Sequence, residues 1–550
     1  MTRPTPLGAR AGAALNTPLT PLRFLERAIE VHPDAPAVID GTRHLTWAQF
    51  GAVVTRLAHA LRASGVEVGD RVAYLSPNSV EMLAAHYAVP LVHAILVAIN
   101  TRLAPDEIRD LCDHSGAVLV AGDAALLTPL GRAPGFATVR EIVELPAADG
   151  SYRDLEGTTR YETLLFRGHD EPVPYEIDDE NRIIAINYTS GTTGRPKGVM
   201  YTHRGAYLSS LSELHHQRFD RSTRYLWSLP MFHCNGWCHT WAVTASAGAH
   251  VCLREVRGEI MWEVIDQHSI THMAGAPIVL ATLASASQAH LVRRPLVAAI
   301  AGAPPSPTLI DRVRSLGVDL IHVYGLTETY GPYAVCEPKP DWDHLSNDAQ
   351  ANLLARQGVG QLNSAQMRVI RPKKGPAGEL IDVAPDGAEM GEIVMRGNCV
   401  MAGYYDDPES TSTAFVGGWF HSGDLGVMHP DGYVRLLDRA KDVIISGGEN
   451  ISTIEVEQAV MSHASVANVA VVGIPDDKWG ERPKAFVVPV PGTNLTGEDV
   501  IAHVRSRIAP YKAPEVVEFV VELPTTSTGK IRKNELREAE WSRSQTRIQG

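Results

Sequence analysis

The sequence predicts an α/β protein in two unequal parts: a large N-terminal domain of two α/β lobes with a small β-rich subdomain, then a small α/β C-terminal domain. Three observations predict it. Helix-period and strand-like runs alternate from Leu22 to about Gly325, the texture shifts after Gly375 to short strands with Asp-Gly turns, and a compact mixed piece follows Asp438. The length agrees, because 550 residues at 44% hydrophobic content exceed the roughly 250–300 residues at which one core stops growing. The expected divisions are a loose arm at 1–20, the large domain at 21–438, a hinge at 439–442, the small domain at 443–540 and a polar tail at 541–550.

Along the chain, helical runs near Phe24–Glu30 and over Trp47–Ala63 precede the strand-like RVAYLS at Arg71–Ser76. A second amphipathic run leads to VLVAG at Val118–Gly122, the rhythm of βαβ units and a parallel sheet. After the acidic, turn-rich stretch Asp149–Asp179 the rhythm resumes with IIAINY (Ile183–Tyr188), YLWSLP (Tyr225–Pro230), HVCLRE (His250–Glu255), LVAAIAGA (Leu296–Ala303) and DLIHVYG (Asp319–Gly325). PDG at 385–387 and again at 430–432 marks turns of the β-rich subdomain.

The formal charge is −13, from 63 acidic and 50 basic side chains, and no lysine/arginine run is present to grip a phosphate backbone or an anionic membrane. No nucleic-acid partner is expected. The longest apolar stretch, around Ala84 to Ile99, is broken by His86, Pro90 and His93 and falls short of the roughly 20 residues a bilayer span needs, so no membrane span is expected. The prolines among the first residues interrupt any apolar signal region, which leaves them as the loose arm. Six scattered cysteines are too sparse for a disulfide framework and suit a reducing cytoplasm.

The segment richest in chemistry is YTSGTTGRPKGV, Tyr188 to Val199, which follows an apolar strand and precedes a predicted helix. Glycines such as Gly191 let backbone amides turn toward an anion, the hydroxyls of Thr189, Ser190, Thr192 and Thr193 donate hydrogen bonds, and Lys197 supplies charge. Together they read as a phosphate cradle. A Walker loop needs GxxxxGK[ST], whereas here the lysine is followed by Gly198, so that reading fails.

This string resembles the phosphate-binding loop of the adenylate-forming superfamily of acyl-CoA synthetases, luciferases and peptide-synthetase adenylation domains. Four more segments resemble that family's motifs, in its order: YGLTET (Tyr324–Thr329), WFHSGDLG (Trp419–Gly426), RAKDVIISGGENIS (Arg439–Ser452) and PTTSTGKIRK (Pro524–Lys533). The resemblance implies ATP, Mg2+ and coenzyme A, with Glu328 holding the metal, Thr327 at the α-phosphate and Tyr324 stacked on adenine. It further implies that Gly302 and Ala303 of AGAPPSP run beside the nucleotide and acyl chain, that Gly325 passes beside the carboxylate, and that Asp424 and Arg439 hold the ribose.

Lys530 is implied to reach both the carboxylate and the bridging phosphate oxygen, so the expected catalytic set is Lys530, Thr189, Glu328 and His233. The chemistry asks for such a set, because carboxylate attack on the α-phosphorus brings two anions together. Lys441 stands at the family's hinge position, about which the C-terminal domain turns after adenylation. Gly447 and Gly448 would let backbone approach the pantetheine, and Trp479 would stack on the CoA adenine. Ser527 to Lys530 also fits SxxK, but the SDN and KTG segments of that class are absent.

PMFHCNGWCHTW, Pro230 to Trp241, aligns with the family's acyl-pocket region. His233 is expected to gate or line the site and Trp237 to narrow it toward short, branched or aryl acids, with Gly302 and Gly325 leaving room. A zinc site at His233, Cys234, Cys238 and His239 is the rival reading, against which stands a CxxxC pair with no second cluster nearby. The expected reaction is adenylation of a small or medium carboxylic acid with pyrophosphate release and transfer to CoA. Rivals are transfer to a carrier-protein thiol or an amine, nitrite-linked diazotisation, and a catalytically dead module, which should have lost Lys530, Glu328 or Asp424. Oligomeric state is left open, with a homodimer as one outcome.

Overall fold

Short apolar runs rich in valine, isoleucine and alanine become strands covered on both faces, as a parallel sheet requires. In a computed structural model of the chain, which describes residues 16–131, 135–189, 196–373, 375, 378–447, 449–476, 478–526 and 530–543, such runs build two large sheets. One has eight strands in the order Gly403–Tyr404, Gly198–Thr202, Ile183–Tyr188, Ile95–Ala98, Arg71–Leu75, Ala117–Asp123, Glu141–Leu145 and Thr159–Arg160. The other has nine: Val359–Gly360, Gly331–Val335, Val318–Leu326, Leu296–Ile300, His272–Gly275, Arg224–Trp227, Ala249–Cys252, Pro36–Asp40 and Arg43–Thr46. Pro36–Asp40 joins the second sheet beside Ala249–Cys252 although it precedes the whole first sheet in the chain. That crossing stitches the two lobes together.

Helices cover these sheets. Trp47–Ala63 opens with a capping box between Thr46 and Gln49, which satisfies two end groups reciprocally. Its neighbour Val80–Leu91 is buried at all twelve positions. The run expected to be amphipathic is therefore a core helix, hydrophobic all round because it is enclosed all round.

A four-stranded antiparallel sheet follows, Arg368–Ile370, Met390–Met395, Phe420–Met428 and Val434–Arg439, the β-rich subdomain of the sequence pattern. The C-terminal part has its own sheet of Glu449–Ile451, Ile444–Ser446, Gly480–Pro489 and Val466–Asp476, with Val516–Phe519 added beside Gly480–Pro489. Ile444, Val456, Val471, Val487 and Val500 form a core under it. Among the described residues no helix is long and apolar enough to cross a membrane.

Two expected edges move. The last residues of the supposed loose arm are docked: Leu19 N–H donates to Glu180 Oε2 at 2.9 Å and the buried Thr20 hydroxyl meets His203 Nδ1 at 3.0 Å. The supposed tail begins as helix, since Lys533–Arg543 runs through Trp541, whose indole N–H donates to the Gly473 carbonyl at 3.0 Å. Both depend on long-range partners that local sequence does not display.

Candidate active site

The antiparallel pairing of Phe420–Met428 with Val434–Arg439 sets Asp424 directly opposite Arg439. The Arg439 Nε lies 3.3 Å from Asp424 Oδ1. From the large sheet, Val318–Leu326 brings Tyr324, whose hydroxyl donates to Asp424 Oδ2 at 2.7 Å. Asp424 is buried, yet its Oδ1 accepts no hydrogen bond. Buried acceptors rarely stay unmet, and a vicinal diol is a group that would satisfy this one. Burial, and then the Asp424 carboxylate, hold the Tyr324 phenol well above its ordinary pKa, so it stays a donor. Tyr324, Asp424 and Arg439 are thus brought together as expected, with the Tyr324 hydroxyl tied to Asp424.

Glu328 follows in a short 3-10 turn, Thr327–Thr329. Its Oε1 accepts from the Tyr404 hydroxyl at 3.0 Å, and burial raises its pKa above the usual carboxylate range. A carboxylate made uncomfortable by burial is a fitting ligand for a hard divalent cation. Tyr404 was not legible from its own segment; nothing in GYYDD ties it to Glu328. The same ring receives the Lys197 ammonium 4.8 Å from its centroid, while Lys197 Nζ donates to Ser410 Oγ at 2.8 Å. Thr327 is anchored through its carbonyl, which accepts from Tyr201 at 2.7 Å.

The phosphate-loop strand is answered by an antiparallel partner, Gly198–Thr202, before the helix His203–His216 begins. The loop is therefore a hairpin connection, closed by Thr189 N–H donating to the Lys197 carbonyl at 3.0 Å. Ser190, Gly191, Thr192 and Thr193 lie outside the described residues, as do Gly448 and Ser527.

Lys530 arrives from the C-terminal part. Thr526 and Lys530 exchange hydrogen bonds, Thr526 N–H to the Lys530 carbonyl at 2.6 Å and Lys530 N–H to Thr526 Oγ1 at 3.1 Å. Burial, then Arg439, push the Lys530 ammonium down to about 8, with Asp424 and Asp442 opposing. His233 is pushed down to about 4 by burial and then by Lys530, so the imidazole is neutral and faces the lysine's field. Residues far apart in sequence thus act on one another: Tyr324, Asp424 and Arg439 are in direct contact, and Lys530 lies within electrostatic reach of Asp424, Arg439 and His233.

Around the expected acyl pocket the backbone is unusual. Cys234, Asn235, Gly236, Trp237 and Cys238 all have positive φ, between 43° and 62°. Five left-handed residues in a row form a turn of reversed hand, at roughly 1–2 kcal/mol per non-glycine residue, and such strain gathers at functional sites. Trp237 is buried by this turn against Gly331, where a Cβ would stand 2.9 Å from the Trp237 Cα. The zinc set does not converge: the Cys234 thiol donates to Thr327 Oγ1, Cys238 to the Tyr330 carbonyl, and His239 is locked between Glu213 at 3.0 Å and Tyr225 at 2.8 Å.

The glycines divide. Gly302, at φ 88°, would place a Cβ 3.8 Å from the Ala276 Cβ, an ordinary contact, so its backbone conformation and not crowding asks for glycine, and Ala303 follows half-buried. Gly325 is glycine for packing, because a Cβ there would lie 1.9 Å from the Gly331 carbonyl oxygen; room for an acid is not the reason. Lys441 is exposed. Gly447, at φ 60°, donates its N–H to the Trp479 carbonyl at 2.7 Å and lies under the Trp479 ring, which is 41% exposed and carries the Lys478 ammonium 4.6 Å from its centroid.

With this geometry the chain belongs to the AMP-binding enzyme family, whose main domain matches residues 25–405 and whose C-terminal domain matches residues 455–530. It is 41% identical to the acetate–CoA ligase of Humulus lupulus, over 96% of this chain and 95% of that one. It is 40% identical to the 2-methylpropanoate–CoA ligase of the same plant, over 96% of each. In fold it matches the crystal structure of an anthranilate CoA ligase in complex with anthranoyl-AMP, with a TM-score of 0.84 and 22% identity over 96% of this chain and 98% of the other.

Proposed function

We propose that this protein is an AMP-forming acid–thiol ligase, which joins a small carboxylic acid to the α-phosphate of ATP and passes the acyl group to coenzyme A. The observation that carries it is the buried Tyr324–Asp424–Arg439 cluster with its unmet carboxylate oxygen, on which the Lys530 charge from the C-terminal part also acts. Relatives that act on acetate and on 2-methylpropanoate support a short or branched acid.

In the first step a carboxylate oxygen bonds to the α-phosphorus while the bond from that phosphorus to the bridging oxygen breaks and pyrophosphate leaves. Two anions approach, so fixed positive charge is what the site must supply. Lys530 supplies it at the reacting atoms, and Arg439 and Asp424 hold the sugar in place. Glu328, oriented by Tyr404, would hold Mg2+, which when bound neutralises phosphate charge. In the second step the CoA sulfur bonds to the acyl carbon, AMP departs and the thiol proton is released. The neutral imidazole of His233 borders the acid, and the left-handed turn with Trp237 forms the wall that limits its size. A hinge at 439–442 with Lys441 at its centre, and a CoA face of Gly447, Gly448 and Trp479, complete this reading.

The test is acid-dependent pyrophosphate release across short, branched and aryl acids, with and without CoA, with products read by mass spectrometry. An acyl-CoA product is expected. An adenylate that CoA does not discharge would move the second substrate to a carrier-protein thiol, an amine or nitrite, the acceptors that the ATP site itself does not distinguish.

A further inference from the structure

The helix Lys533–Arg543 begins three residues after Lys530, and its first turns grip the segment that links the two parts of the molecule. Lys533 Nζ donates to Thr453 Oγ1 at 2.6 Å and pairs with Glu457 Oε1 at 2.8 Å. Thr453 passes the contact on: its own hydroxyl and backbone N–H donate to Asp438 Oδ2 at 2.8 and 2.6 Å. Asp438 and Thr453 are buried. One helical turn later Arg537 Nη1 donates to the Lys441 carbonyl at 2.5 Å and lies 3.2 Å from Asp442 Oδ1. Positions four apart share a helix face, so one face of the helix reaches residues 438–442 twice, Arg537 directly and Lys533 through the Thr453 hydroxyl.

The other face of this helix is fixed as well. Leu536 packs beside Val472, Phe486 and Leu523, and Trp541 is tied to Gly473. Between helix and active site the chain is short and braced, with Thr525 bridged to Ile531 and Arg532 N–H donating to the Pro524 carbonyl at 2.8 Å. A lysine side chain has many rotamers, so its ammonium is placed only as well as the backbone beneath it. That backbone hangs from the helix, and the helix hangs from 438–442, which contains Arg439, the partner of Asp424.

We infer that Lys533 and Arg537 form a clasp on residues 438–442 that sets the position of Lys530 against the Arg439–Asp424 pair, making them positioning residues for acyl-AMP formation and not for thioester formation. The inference rests on the ligase reading above. No role for either residue followed from the sequence, where they are two charges among many near the chain's end.

The two half-reactions separate a positioning role from a merely structural one. Acid-dependent exchange between ATP and pyrophosphate reads adenylation, and acyl-CoA formation from supplied acyl-AMP reads the second step. In Arg537→Met and Lys533→Met the exchange kcat should fall roughly 10- to 100-fold, as misplacement of about 1 Å can cost, with the KM for ATP little changed and thioester formation retained. Arg537→Lys, which keeps a charged donor for the Lys441 carbonyl, should recover most of the loss. Should Lys533→Met unfold in calorimetry, Thr453→Val removes the hydroxyl that joins Lys533 to Asp438 while leaving the backbone N–H on Asp438 and the Lys533–Glu457 pair in place, and it should reproduce the selective loss in milder form.

Equal loss in both half-reactions, or unchanged exchange in the folded variants, overturns the clasp alone. A wild-type enzyme with no acid-dependent exchange overturns the ligase reading and the clasp with it.

Discussion

Lys530 is a cation held where cations are least comfortable, and this gives it a pH signature. Burial and the neighbouring Arg439 bring its ammonium down to about 8, from an ordinary lysine value of about 10.4. Below about 8 it is charged and can meet the developing phosphate charge; above that value the charge, and adenylation with it, is lost. The kcat/KM for ATP should therefore show an alkaline limb near 8, because this parameter reports the free enzyme. Bound phosphates favour the charged form, so the limb in kcat should lie higher. Lys530→Arg, whose guanidinium stays charged, should lower the plateau and remove the limb. A wild-type limb above 10, or one that persists in Lys530→Arg, would separate the limb from this residue. A second residue makes a simpler case. Asp424→Asn keeps the shape but loses the charge of an acceptor buried between Tyr324 and Arg439. Hydrogen bonds to charged groups contribute about 1.5–3 kcal/mol, so the Kd for ATP should rise roughly 10- to 100-fold by titration calorimetry. An unchanged Kd would take Asp424 off the nucleotide. These charges were legible in the sequence because each sits in a short motif with its neighbours in a fixed order. The partners of Tyr404, Lys533 and Arg537 were not, since they lie 76, 80 and 96 positions away; Lys533 closes the motif that holds Lys530, but nothing local says what it binds.

At the scale of elements, alternating apolar runs gave strands nearly residue for residue, as in IIAINY and Ile183–Tyr188. They could not give the pairing of Pro36–Asp40 with Ala249–Cys252, because parallel partners are chosen by the whole sheet rather than by either strand. The reversed-hand turn Cys234–Cys238 was hidden for a related reason: three of its five residues are poor left-handed formers, and only enclosing structure keeps them there. Asn235 in that turn is fully buried with both side-chain polar atoms unmet. Asn235→Val, a β-branched residue at φ 43°, should destabilise the protein by roughly 2–3 kcal/mol by calorimetry, while Asn235→Gly, free of both the strain and the unmet amide, should cost less. Equal costs would mean that backbone hand is not what the position demands. Trp237 takes its orientation from the same turn and rests on Gly331. Trp237→Ala should shift the accepted acids toward longer chains in the pyrophosphate-release panel, and an unaltered chain-length profile would remove this ring from the pocket wall.

For the whole molecule, the buried histidines couple stability to acid. His86, His203, His233, His250, His272 and His322 are held by burial near 4, 3, 4, 3, 4 and 4, against about 6.5 in an unfolded chain. They lie in both lobes and beside the cleft, so their effect is distributed over the large domain. Above pH 6.5 neither state binds these protons and their stabilising contribution is complete. As pH falls below 6.5 the unfolded chain takes up protons that the folded chain refuses, and stability drains away until the folded values near 4 and 3 are passed. Calorimetry should find a Tm nearly flat from pH 8 to 7 that declines from about 6.5, before most carboxylates titrate. His203 offers a clean control, because its Nδ1 meets only the Thr20 hydroxyl and an asparagine can serve that contact. His203→Asn removes one such proton, so its Tm should decline less steeply between pH 6.5 and 5 even where its absolute Tm is lower. A slope equal to that of the wild type, or a wild-type Tm that holds flat to pH 4.5, would mean that these imidazoles are not where the acid sensitivity resides.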